Sequence, residues 1–154
     1  MEYTLKTAIP SDAARINGLF TEMLHTIDPT GDAEGYEADY LGKFFSGGED
    51  RILAAETESE VIAFLSVEVY RRKGYVYLDD FSVAAEYRSQ GIGTALLRAA
   101  EAYAVQLGIA GIRLHVERSN TAAYRFYRRH GFSELHDEGS RVLMAKGMSD
   151  MSGN

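Results

Sequence analysis

A strand that runs into a glycine-bearing turn and then a helix constrains this chain more than any other stretch. Tyr75 to Val83 reads as an apolar strand, and a helix starts near Gly91. At the junction stands Arg88-Ser89-Gln90-Gly91-Ile92-Gly93. Glycines there let the backbone approach a ligand closely. The helix behind them points unpaired N–H groups and partial positive charge out of its N-terminus. Such a junction is a receptor for phosphate or pyrophosphate, and Arg88 adds a charge beside it. A Walker loop is excluded, because Ile92-Gly93-Thr94 offers no Lys. A dinucleotide fingerprint is excluded too, because Leu96 stands where its third glycine belongs.

Around this junction the chain reads as one domain, residues 1–148, with a loose tail at 149–154. Its 154 residues are 45% hydrophobic, enough for a proper core. No run of about 18 apolar residues suggests a membrane span. Met1 to Pro10 lacks a signal-peptide layout. The chain has no cysteine, which removes disulfides, thiolate zinc sites and a cysteine nucleophile. The scattered His residues lack ligand spacing, so no metal is expected. A cytoplasmic location fits best, with no membrane partner. The net charge of −7 argues against nucleic-acid binding. Its distribution is uneven: Glu22 to Glu60 holds 11 acidic residues against Lys43 and Arg51, and the remainder is mildly basic.

Taken in order, Tyr3 to Thr7 alternates as a strand. Pro10-Ser11-Asp12 opens a helix, with Ser11 or Asp12 as cap and an apolar stripe from Ala13 to Ile27. Residues 33–46 read as a second, shorter helix. Arg51 to Glu56 and Val61 to Tyr70 form a hairpin, and Tyr75 to Val83 follows. The helix after the loop ends at Gly108, and Ile112 to Val116 is a buried strand. Ser119 caps a final helix ended by Gly131. Phe132 to His136 and Arg141 to Lys146 close the chain as a hairpin. The fold class is α/β, with a mixed sheet flanked by helices.

Arg-x-x-Gly-x-Gly after an apolar strand resembles the acyl-CoA loop of the GNAT superfamily of N-acetyltransferases. A second match lies in Val116 to Phe132, where Asn120, Ala123, Tyr127 and Gly131-Phe132 fall at the family's spacing. The resemblance spans about residues 52 to 146. It implies acetyl-CoA as co-substrate and transfer of acetyl to a primary amine by direct attack in a ternary complex. Phe81, Ser82 and Val83 would face the thioester, with main-chain N–H groups turned toward it. Arg88, Ser89, Gln90, Gly91, Ile92, Gly93 and Thr94 would hold the pyrophosphate, and Asn120 would contact the cofactor or fix its loop. Tyr127 sits where the family places the acid that protonates the departing thiolate; a core aromatic on an amphipathic helix is the alternative.

An alkyl ammonium titrates at about 10, so a base must take its proton. Asp79 and Asp80 alternate sides of the strand, and Asp79 matches the Glu of a spermidine/spermine acetyltransferase-like branch. Asp79 is the favoured base, with Asp80, a water relay, His115 and Glu68 as alternatives. Arg125, Arg128 and Arg129 form a basic helical face, either solvated or in contact with CoA phosphates. Asp28, Asp32, Glu34, Glu37 and Asp39, with Tyr36 and Tyr40 among them, fall where the resemblance puts the acceptor side. They point to a cationic small-molecule amine. A protein lysine or N-terminal acetyltransferase and a non-catalytic acyl-CoA-binding module stay open, as does assembly as a homodimer.

Overall fold

The computed structural model describes residues 2–27, 35 and 40–147. The acidic cluster at positions 28–34 and 36–39 and the expected tail lie outside the described residues. Among the described residues, seven strands and three α-helices make a mixed α/β fold: β1 (Thr4–Thr7), α1 (Ala13–Ile27), β2 (Arg51–Glu56), β3 (Val61–Tyr70), β4 (Tyr75–Val83), α2 (Ile92–Gln106), β5 (Gly111–Glu117), α3 (Thr121–Arg129), β6 (Ser133–Asp137) and β7 (Arg141–Gly147). The strands hydrogen-bond in the order β1-β2-β3-β4-β5-β7-β6. Packing divides the chain into two compact units, Met1–Val67 with Asp80–Ala100 and Glu68–Asp79 with Glu101–Asn154. Among the described residues no helix is long and apolar enough to cross a membrane.

In the first unit, α1 turns its stripe inward, with Ile16 and Leu19 fully buried beside Phe44, Ile52, Val61 and Phe64. β1 and β3 each run antiparallel to β2. Thr57 closes the β2–β3 turn, its hydroxyl oxygen accepting the N–H groups of Ser59 and Glu60. The start of the first helix differs from expectation. Pro10–Asp12 is a 3₁₀ turn, and Asp12 lies inside it. Its carboxylate accepts the Ile9 N–H at 2.9 Å and pairs with Lys6 at 2.9 Å, so it reaches backward rather than capping forward. The described part of the expected second helix is also 3₁₀, Tyr40–Phe44. Gly42 sits at its centre, and glycine is a poor α-helix former.

In the second unit, β4 pairs parallel with β5, matching Tyr75 to Gly111 through Leu78 to Leu114. β7 pairs antiparallel with β5 and β6. The inward residues Val76, Leu78, Ile112, Leu114, Val116, Val142 and Met144 are all buried. Asn120, not Ser119, caps α3: its side-chain oxygen accepts the Ala123 N–H at 3.2 Å. Lys146 fastens three elements. Its Nζ lies 2.9 Å from Glu101 on α2 and 2.8 Å from the His130 carbonyl at the end of α3, and both charged side chains are 11% exposed.

Removing one partner of a buried pair strands the other's charge at a cost of about 3–5 kcal/mol. Lys146→Met should therefore destabilise the protein by that order in urea unfolding. Adding Glu101→Leu should recover part of the loss, because no orphaned carboxylate then remains.

Candidate active site

The first unit carries the loop. Gly91 has φ 83°, and Ser89, at φ 62°, is the one non-glycine with positive φ among the described residues. Positive φ at Ser89 and Gly91 turns the chain sharply just before the helix begins. The first α-helical bond runs from the Ala95 N–H to the Gly91 carbonyl at 3.1 Å. Ile92 and Gly93 therefore donate to no acceptor within the helix. A Cβ built on Gly91 meets nothing within 4 Å, so open space lies over the backbone at the helix N-terminus. That is the shape a pyrophosphate needs, and the residues present fit acetyl-CoA.

The loop is braced from behind. Arg88 donates its Nε–H to the Val83 carbonyl at 3.1 Å, tying the loop to the end of β4, and the Gln90 amide returns to the Glu86 carbonyl. Ile92 is buried and anchors the first turn of α2, while Arg88, Ser89, Gln90 and Gly91 are exposed and Gly93 and Thr94 are half-buried. On β4, Phe81 and Val83 are half-buried, whereas the Ser82 side chain is buried toward Leu19. The Asp80 N–H is taken by the Ser66 hydroxyl at 2.8 Å.

The second unit carries the ionisable groups. Asp79 is exposed, on the β4 face that also bears Tyr75 and Tyr77. Tyr127 is held edge-on by Phe126 and Phe132, with ring centroids 5.3 and 5.6 Å away. Burial, and then the neighbouring Tyr77, push its phenol far above the ordinary tyrosine range. The Tyr127 hydroxyl makes no hydrogen bond among the described residues. It is thus a protonated phenol without a partner, a state suited to giving a proton rather than taking one. Asn120 spends its side-chain oxygen on the α3 cap. Arg125, Arg128 and Arg129 stand exposed on α3.

Sequence reasoning passed over one constellation in this unit. The Tyr77 hydroxyl lies 2.6 Å from His115 Nδ1, and His115 Nε2 lies 3.0 Å from the Glu138 carboxylate. Glu138 also accepts from Arg141 Nε at 3.1 Å. His115 stood among the alternatives for the base. Tyr77 could have been found from its two-residue spacing to Asp79, but the link to Glu138 crosses from β5 to the β6–β7 turn and leaves no sequence signal.

The acetyltransferase (GNAT) family model matches residues 18–132. An uncharacterized N-acetyltransferase, YhfO, of Bacillus subtilis is 33% identical over 84% of this chain and 89% of its own length. A streptothricin acetyltransferase of Streptomyces lavendulae is 30% identical over 85% of this chain and 82% of its own. The crystal structure of PaiA N-acetyltransferase from Thermoplasma acidophilum, in complex with coenzyme A, superposes with a TM-score of 0.79 at 21% identity, covering 96% of this chain and 99% of that one. The chain belongs to the GNAT family and is an N-acetyltransferase with acetyl-CoA as co-substrate.

Gly91→Asp puts a carboxylate into the open space over the α2 N-terminus, at a backbone angle L-residues rarely adopt. CoA should raise the melting temperature of the wild type and leave that of folded Gly91→Asp unmoved. Equal CoA affinity in the two proteins would remove the loop from the binding site.

Proposed function

We propose that this enzyme acetylates the primary amine of a cationic small molecule, by direct attack within a ternary complex. The observation that carries the acceptor class is charge: the Glu22 to Glu60 segment holds 11 acidic residues against two basic ones. A carboxylate-rich surface concentrates and steers cations. The match to a streptothricin acetyltransferase over 85% of the chain supports a small-molecule acceptor over a protein one.

When bound, acetyl-CoA supplies the electrophilic acetyl thioester and a thiolate leaving group. The main-chain N–H groups of Gln90 to Gly93, with Arg88, Ser89 and Thr94, hold its pyrophosphate. Backbone donors at Phe81 to Val83 stabilise charge developing on the carbonyl oxygen; one such donor is typically worth ~3 kcal/mol of barrier. Asn120 keeps the start of α3 in place, which sets Tyr127. Tyr127 protonates the departing sulfur. Asp79 receives the acceptor's ammonium on the exposed face of β4 and holds it for deprotonation.

Tyr127→Phe removes the proton and keeps the packing against Phe132. CoA affinity should hold while turnover falls roughly 10²-fold, the size of a positioned proton donor's contribution. Near-normal turnover under chemistry-limited conditions would reduce Tyr127 to a packing residue. The acceptor class is tested separately with a panel of polyamines, aminoglycosides, amino acids and peptides in a thiol-release assay. Steering by exposed charge is screened over about 8 Å at physiological ionic strength. The acceptor KM should therefore rise with salt, and a neutral best substrate with a salt-independent KM would overturn the assignment.

A further inference from the structure

We infer that Tyr77, His115 and Glu138 form the proton-accepting assembly of the transfer reaction, in which Tyr77 conducts the ammonium proton to His115 and Glu138 orients and charge-pairs the imidazole. The inference rests on the acetyltransfer reading and refines it: Asp79 holds the ammonium, but the proton goes on to the imidazole.

Three observations carry it. The first is direction. Glu138 is acceptor-only as a carboxylate, so His115 donates its Nε2–H to it across 3.0 Å. That leaves Nδ1 as an acceptor, and the Tyr77 O–H donates to it across 2.6 Å. The second is placement. Tyr77 precedes Asp79 by two residues on the same face of β4, roughly 7 Å along the strand, so a cation at Asp79 lies within reach of the Tyr77 hydroxyl directly or through one water. Asp79 is the charge that acts most strongly on that hydroxyl. The third is chemistry. Passing a proton from an alkyl ammonium to an ordinary imidazole is unfavourable by a factor of about 10³–10⁴, against about 10⁶ for an ordinary aspartate.

The surroundings keep Tyr77 a conduit rather than an acid. Burial, with help from Asp79 on its own strand and Glu68 on β3, pushes its phenol up to about 12. Arg141 on β7 opposes that shift, Glu138 adds to it, and Tyr127 on α3 is a further titratable neighbour. In the step itself an ammonium N–H breaks and a new Tyr77 O–H forms. At the same time the phenol's own proton moves to His115 Nδ1, giving an imidazolium paired with Glu138. The excess proton then leaves to water from the partly exposed imidazole, and exchange with solvent restores the starting tautomer.

Tyr77→Phe and His115→Ala should each lower kcat roughly 10²-fold with CoA affinity intact. Added imidazole should restore part of the turnover of His115→Ala, which a purely structural loss would not allow. Glu138→Gln keeps an acceptor for Nε2–H but loses the charge that favours the imidazolium. The acidic limb of its kcat profile should therefore move to lower pH. In the resting enzyme, ¹⁵N spectra of His115 should report a protonated Nε2 and an accepting Nδ1, and Tyr77→Phe should shift the Nδ1 resonance. Unchanged pH profiles in all three variants, or an acidic limb lost in Asp79→Asn and kept in His115→Ala, would overturn the assembly while leaving acetyl transfer standing. A wild type that acetylates no amine would overturn both.

Discussion

The structure depends on the two-residue period of β4. Because successive side chains of a strand point to opposite faces, one row of β4 packs into the core and the other is left more exposed. Val76, Leu78 and Ser82 are buried on the first row. Tyr75, Tyr77, Asp79, Phe81 and Val83 make up the second. A one-residue slip would bury Asp79 and expose Leu78, so packing of the buried row holds the opposite row in register.

The same economy recurs at the two helix starts that matter. At α2, Gly91 adopts a left-handed angle with nothing within 4 Å of where its Cβ would be, which leaves the start of the helix open. Ile92, immediately after it, is buried and keeps the opening from moving. At α3 the requirement is closure. Asn120 caps the helix with its own side chain, and Lys146 secures the far end by bonding the His130 carbonyl. One helix leaves donors available to an anion; the other is fastened at both ends and carries Tyr127 between them.

The environment of Tyr127 and that of Tyr77 differ in their hydrogen bonding. Both phenols are raised by burial. Tyr127 has aromatic neighbours and no hydrogen bond among the described residues, so its proton has no competing acceptor. Tyr77 is bonded to an imidazole that is itself bonded to a carboxylate. Burial raises both phenols, and what separates the two hydroxyls is the hydrogen bond that only Tyr77 makes.

The amino-acid sequence by itself determined the family, the strand-to-helix junction at Arg88 to Gly93, and the placement of Asp79 on β4 and Tyr127 on α3. These are local features: a glycine spacing, a period of two in β4, and a helical motif from Asn120 to Phe132 each show within about 20 residues. It misjudged details decided by competition between neighbours. Asp12 turns back because Lys6 and the Ile9 N–H claim its carboxylate, and Asn120 rather than Ser119 caps α3. Only tertiary structure decided that Tyr77, His115 and Glu138 meet, since they lie on β4, on β5 and in the β6–β7 turn. Their meeting is set by the registers of β4 with β5 and of β5 with β7, which follow from how the buried faces pack and not from any spacing along the chain.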